Sequence, residues 1–273
     1  MKKYIMFFIF IFSISYLFFN TYNISFNIPN ISDIVFNNYK YKYHVTDILN
    51  IGYTAYKKKK TVKKVYSENR EYLVYLYNTH DSEKYFDNAY SINPTVSVNN
   101  YIVKDYLEDK NIGVYVEESS VKDLLSVHGY KYSYSYLCSR ELMENAKNKY
   151  NSLKYFVDIH RDSLDKNRTT VNVNNEEYAS ILFIVGLENK NYNSNLQFTN
   201  KINDLLNKEY PGISKGILKK SGRGVNGVYN QDFSPYTILI EIGGKDNTLR
   251  EVIRSAMAFS KVFYEVIKDE EHI

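Results

Sequence analysis

The stretch that decides the fold is Thr237-Ile-Leu-Ile-Glu-Ile242, TILIEI, followed by Gly243-Gly-Lys-Asp-Asn-Thr248. It is a nearly continuous apolar run closed by two glycines. A strand that reads apolar on both sides is buried on both faces, as in the centre of a parallel sheet. Directly after it comes the most regular helical pattern in the chain. Val252, Ile253, Ala256, Phe259, Val262, Phe263, Val266 and Ile267 follow i, i+3, i+4, i+7 spacing. Working back from this strand and helix, the same alternation recurs. Asn195–Leu206 carries a helical apolar face, Ala179–Val185 and Thr169–Val173 are β-prone, and Tyr155–Ile159 (YFVDI) is a short apolar strand. Ser139–Tyr150 and Ser97–Asp109 have helical spacing, Ser119 and Ser120 offer an N-cap before Val121, and Gly113–Val116 and Glu71–Tyr77 are strand candidates. Strands alternating with helices argue an α/β domain with a mostly parallel central sheet flanked by helices.

The first residues have a different character. Lys2 and Lys3 precede an uncharged run from Tyr4 to Phe19, YIMFFIFIFSISYLFF. It is slightly short for a transmembrane helix, and no small-x-small cleavage site follows at Asn20, Thr21, Tyr22 and Asn23. An uncleaved signal anchor is the better reading. It leaves the lysines in the cytoplasm and everything after residue 20 on the extracytoplasmic side of the cell membrane. Residues 21–69 then form a juxtamembrane stalk or accessory region, 70–268 the folded domain and 269–273 a tail. The stalk holds Lys57-Lys58-Lys59-Lys60, Lys63 and Lys64. This run reads first as a solvated, self-repelling linker and second as a patch for anionic lipid or wall polymer. A net charge of +4 and the absence of a recognised motif argue against a nucleic-acid protein. The single Cys138 excludes an intrachain disulfide.

The chemistry concentrates at strand ends. His80 in YNTHDSEKY and His160 in FVDIHRDS each sit just after a predicted strand, and Glu241 lies close to the end of its own. In open α/β sheets that edge is where sites form. Two imidazoles and a carboxylate are the usual ligands of a catalytic zinc, with water in the open position. Glu83 can come from the same loop as His80, and Glu241 is placed for a general base. The bland alternative stands beside this reading. A histidine can cap a loop, Asp158 and Asp162 can form a salt-bridge cluster around His160 and Arg161, and Glu241 can pair with a buried arginine. His44, His128 and His272 are poorer candidates: one lies in the stalk, one before the Tyr-rich GYKYSYSY loop, one in the tail.

At these residues the chain resembles a known family. Asp158-Ile-His-Arg-Asp162 looks like the signature of stage II sporulation protein P. Thr79-His80 with Glu83 and Tyr85 resembles that family's His-Thr-His-x-x-Glu-x-Tyr. Ser139-Arg140-Glu141, Val185-Gly186, Tyr210-Pro211-Gly212, Asn230-Gln231-Asp232, Ile240-Glu241-Ile242-Gly243-Gly244 and Asn247-Thr248 continue the resemblance over roughly residues 70–268. It implies a fold related to zinc-dependent N-acetylmuramoyl-L-alanine amidases. It also implies cleavage of the amide between N-acetylmuramic acid and the stem peptide, with endopeptidase action on cross-links, during spore engulfment. The implied partners are peptidoglycan, a lytic transglycosylase and a membrane scaffold at the sporulation septum. Carried over, His80, Glu83 and His160 are the zinc ligands and Glu241 is the catalytic acid/base. Arg161 is a substrate or oxyanion contact, with Asp158 or Asp162 orienting a ligand histidine. One position departs: Asn78 stands where the family usually has a histidine. That departure keeps open a second reading, a catalytically weakened wall-binding or scaffold protein on the same fold, whose 29 tyrosines and basic stalk contact sugar or polymer.

Overall fold

A computed structural model describes residues 71–86 and 94–273. The expected anchor and stalk, His44 included, lie outside the described residues. Among those that are described, no helix is long and apolar enough to cross a membrane.

The elements run β1 (Val74–Tyr77), α1 (Val98–Asp109), β2 (Val114–Val116), α2 (Val121–His128), α3 (Ser135–Lys149) and β3 (Tyr155–Asp162). Then follow the single turn α4 (Lys166–Thr169), β4 (Thr170–Val173), β5 (Glu176–Ala179), β6 (Ile181–Gly186), α5 (Tyr192–Glu209), β7 (Ser214–Lys220), β8 (Thr237–Gly244) and α6 (Leu249–Glu271). Six strands form one sheet in the order β2-β1-β3-β8-β6-β7. β2, β1, β3 and β8 are mutually parallel, and β6 and β7 run antiparallel to β8. The mostly parallel α/β expectation is met, with TILIEI in the middle of the sheet.

The physical basis is alternation. Val157 and Ile159 of β3, and Ile238, Ile240 and Ile242 of β8, join one large core with α1, α5 and α6. Ile238, Ile240 and Ile242 are fully buried, each stabilising by roughly 1.5–3 kcal/mol relative to exposure. On the other face Tyr75, Tyr77 and Phe156 pack against Met143 and Ala146 of α3. α6 starts in a capping box: the Thr248 hydroxyl accepts from the Glu251 N–H, and Glu251 reaches back to the Thr248 N–H. It continues through Glu271, past the point where a tail was expected at 269, and Glu271 pairs with Lys154 at 2.6 Å.

Two elements escaped the sequence reading. Ala179–Val185 is not one strand. Ala179 closes a two-stranded hairpin with β4, and the chain enters the main sheet at Ile181. The hairpin turns on Asn174 and Asn175, both with positive φ (52° and 65°), as a type I′ turn requires. β7, SKGILKK, is an edge strand whose lysines hide its β character and guard the open edge.

Candidate functional site

The parallel register sets the site. Tyr77, the last residue of β1, lies opposite Asp158, and His160 lies opposite Glu241 on β8. The C-terminal ends of three adjacent parallel strands therefore deliver the 78–83 loop, His160 and Glu241 to one place. Alternation along β3 turns Phe156, Asp158 and His160 away from the main core, onto the face that α3 covers. Gly243 and Gly244 let β8 leave this crowded end. Gly243 has φ +66°, and a side chain on Gly244 would meet the Leu164 carbonyl at 2.3 Å.

The loop after β1 is held from several sides. Tyr85 donates to the Ile242 carbonyl (2.8 Å), and the Val96 N–H bonds the Glu83 carbonyl (3.0 Å). Ser120, the N-cap of α2, donates to Asp81 (2.7 Å). Thr79 ties the loop to β3: its N–H reaches Oδ1 of Asp158 (2.9 Å) and its hydroxyl reaches Oδ2 (2.7 Å), with Ser139 and Asn230 behind. Asp158 is fully buried. It, rather than Asp162, is the carboxylate beside His160: Oδ1 stands 2.9 Å from Nε2. Asp162 instead accepts from the Leu164 N–H.

The sequence-selected residues converge. The His80 and His160 rings meet edge to face at 5.1 Å. Glu83 lies 3.6 Å from Nδ1 of His160 and accepts from the Arg161 N–H. The Arg161 guanidinium is anchored on the Lys84 and Asp162 carbonyls, which spends two of its donors and leaves the others available. His128 stands apart, at the end of α2, paired with Glu141 at 3.1 Å. His272 caps the end of α6. Cys138 is buried.

The electrostatics of the two imidazoles diverge. Burial, then the neighbouring His160, hold His80 below the usual histidine range, so it is neutral at pH 7. Burial also opposes charge on His160, but the Asp158 and Glu83 carboxylates outweigh it and push the ring up to about 10. Burial would raise Glu83, yet its contacts with His160 and the Arg161 N–H bring it below the usual range. Glu241 goes the other way: burial, reinforced by the charge of Asp162, pushes it up to about 7. The two carboxylates are thus pushed in opposite directions by their surroundings.

A zinc ion can be tested against these donors. Nδ1 of His80 is buried with no hydrogen-bond partner, and an orphaned buried ring nitrogen calls for an explanation; Nε2 of His160 faces Asp158. Two imidazoles and a carboxylate are the right donor chemistry. Among the described residues no three such groups already stand converged at ligand geometry. The site thus supplies donors of the right kind without a finished cage, and the residues fit the ion.

Asn78 is explained by its contacts. Its amide donates to the Ile159 carbonyl (2.6 Å) and accepts from Asn100 of α1 (2.7 Å), which ties β1, β3 and α1 together. It is turned into the fold, and His80 is the imidazole at the site. Two aromatic neighbours escaped the sequence reading. Tyr132 stacks on the His80 ring (4.7 Å, 18°) and Tyr136 meets it edge-on (5.7 Å, 77°). The signal was present in GYKYSYSY, but a run of alternating tyrosines does not say which one faces a strand end far away in sequence.

Comparison with known proteins bears on the same region. Residues 36–264 match the family described as Stage II sporulation protein P (SpoIIP). The chain is 35% identical over 210 residues to "Stage II sporulation protein P" of Bacillus subtilis (strain 168), covering 74% of this chain and 52% of that protein. It therefore spans about half the length of this curated relative. Among solved structures it is similar to "Cwp6 from Clostridium difficile", with a TM-score of 0.45, 13% identity, and 72% of this chain and 30% of that one covered. It is also similar to an N-acetylmuramoyl-L-alanine amidase from Clostridium difficile 630, with a TM-score of 0.43, 15% identity, and 73% and 96% covered.

Proposed function

The chain belongs to the stage II sporulation protein P family, and from that premise we propose that it is a peptidoglycan hydrolase of sporulation. On this reading it cleaves the amide between N-acetylmuramic acid and L-alanine of the stem peptide, and also peptide cross-links. The observation that carries the reading is the meeting of His80, Glu83, His160 and Glu241 at the C-terminal ends of three parallel strands, with a buried ring nitrogen of His80 lacking a partner.

Zinc would be held by His80, Glu83 and His160, where it would polarise the scissile carbonyl and acidify a bound water. The protein's own groups do the rest. His80 is neutral and offers its lone pair. Asp158, pinned by two bonds from Thr79, sets the orientation of His160. Glu241, pushed up to about 7, exchanges a proton near neutral pH, taking it from the attacking water and returning it to the leaving amine. Arg161, whose guanidinium keeps donors beyond its two carbonyl bonds, would contact the substrate. The apolar run Tyr4–Phe19 anchors the chain in the cell membrane, with the domain on the extracytoplasmic side at the sporulation septum, beside a lytic transglycosylase and a membrane scaffold.

The wall-binding or scaffold alternative drew on Asn78, on the 29 tyrosines and on the basic stalk; of these, Asn78 has a packing role through its bonds to Ile159 and Asn100. The test is direct. Purified full chain is analysed for zinc and incubated with sacculi, and the products are identified by mass spectrometry. One zinc per chain and new amide-derived amine ends are expected, both lost in His160→Ala. Undiminished cleavage by metal-stripped protein would sink the zinc reading.

A further inference from the structure

Five of the nine exposed large hydrophobic side chains among the described residues fall within residues 127–137: Val127, Tyr130, Tyr132, Tyr134 and Leu137. Such clustering outside a core marks a contact surface. The turn that carries it is built, not loose. Gly129 ends α2 in the left-handed conformation, and the Tyr130 N–H closes back on the Leu125 carbonyl at 2.8 Å. A short 3₁₀ turn, Tyr132–Tyr134, then leads into α3. The rings are ordered against one another. His128 and Tyr130 stack at 5.2 Å with 26° between planes, and Tyr130 and Tyr134 follow at 5.2 Å and 31°. Tyr130 and Tyr134 still expose 41% and 50% of their surface.

We propose that Tyr130 and Tyr134 form a platform that binds the glycan strand, the exposed surface of the pair taking the C–H face of an N-acetylated amino sugar. The reading rests on the proposed peptidoglycan hydrolysis, and it names where the sugar chain lies. Tyrosine combines a flat apolar face with a phenol that exchanges hydrogen bonds with sugar hydroxyls, and it loses little side-chain entropy on binding. The platform is continuous with the site, because Tyr132 of the same turn stacks on His80. A strand whose lactyl amide reaches the strand ends must extend beyond them, and the tyrosine turn is the aromatic surface adjoining the site. Lys131 and Ser133, both exposed, alternate with the rings and suit a polar polymer better than a dry protein interface.

The test uses the full chain in detergent and a probe without any peptide amide, a soluble N-acetylglucosamine oligomer, titrated by calorimetry. Tyr130→Ala/Tyr134→Ala is expected to weaken binding on the order of tenfold to a hundredfold. Tyr130→Phe/Tyr134→Phe, which keeps the ring faces, should retain most of the affinity and guards against a folding defect in the alanine variant. Hydrolysis of a small muramoyl-peptide, too short to reach the turn, should be unchanged in both. Equal oligomer binding by wild type and the alanine variant, or none by wild type, overturns the platform. So does a sedimentation shift showing that the alanine variant loses self-association while oligomer affinity stays the same. Oligomer binding without hydrolysis by wild type would instead overturn the hydrolase reading and leave the platform standing.

Discussion

The two faces of β3 and β8 come from the same two strands of eight residues each and do opposite work. Toward α1, α5 and α6, Val157, Ile159, Ile238, Ile240 and Ile242 form a dry core that holds the domain together. Toward α3 and the tyrosine turn, Asp158 and His160 are buried and Glu241 is half-buried, and the burial of Glu241 comes at a cost in stability. Because strand side chains alternate with a period of two, one backbone serves both without compromise at either. The polar face persists because its charges answer one another: Asp158 and Glu83 flank His160, and Thr79 satisfies both oxygens of Asp158. A buried charge without such a partner would cost several kcal/mol. Glu241 is the exception. Burial and the like charges of Asp162 and Glu83 outweigh the help of His160 and Lys220, and its displacement toward neutral pH is the trace of that strain.

The contrast can be broken by single substitutions. The largest expected effect is Glu241→Gln, which should cut wall hydrolysis by about 10²–10⁴-fold while the fold survives. Glu241 has a folded pKa above its unfolded value. Its favourable contribution is present below the unfolded value near 4.3 and is lost as pH rises toward about 7. The glutamine variant should therefore melt higher than wild type at pH 8, by about 2–4 °C, and not at pH 4. If hydrolysis persists, the polar face is not the catalytic face. Its neighbour on the other side, Ile240→Ala, should do the reverse. Denaturant titration should show about 2–5 kcal/mol of lost stability, with the specific activity of the remaining folded protein unchanged.

A third variant probes the seam between the faces. Asn78→Ala would strip the Ile159 carbonyl and Asn100 of a partner and cost about 1–3 kcal/mol by chemical denaturation. Asn78→His should gain no hydrolysis; a gain would return the family histidine to the catalytic set. The smallest effect is expected at Glu251, on the core side. Burial opposes its ionisation, but Lys166, Asn247 and the Thr248 N–H hold its carboxyl below the usual range. Its stabilisation is full above the unfolded value near 4.3 and disappears as pH falls through the folded value. Glu251→Gln should lose about 1 kcal/mol at pH 7, with the difference from wild type vanishing in melts at acid pH.

Much of the site was legible because its signals are local. His80, His160 and Glu241 each stand at or next to the end of an apolar run, and the rule that open α/β sheets gather function at that edge needs no coordinates. What stayed hidden depends on register and on which way a side chain turns. Asn78 reads as a gap in a motif until its amide is seen bridging Ile159 and Asn100. Asp158 and Asp162 are equal in sequence, and only the pairing of β1 with β3, which sets Thr79 on Asp158, separates them. Tyr132 and Tyr136 sit in a run of like residues more than fifty positions after His80, and nothing local assigns them to it.

By itself the sequence determined the α/β class, the central place of TILIEI, the long final helix and the set of residues able to carry chemistry. Those follow from periodicity and residue type, which are written in short windows. The tertiary structure alone decided that β6 and β7 run against the rest, that the 170–179 segment folds back as a hairpin and that His160 stands beside Glu241. Strand order, direction and register are settled by long-range packing, where the free energy of burying a whole face outweighs the preference of any single segment.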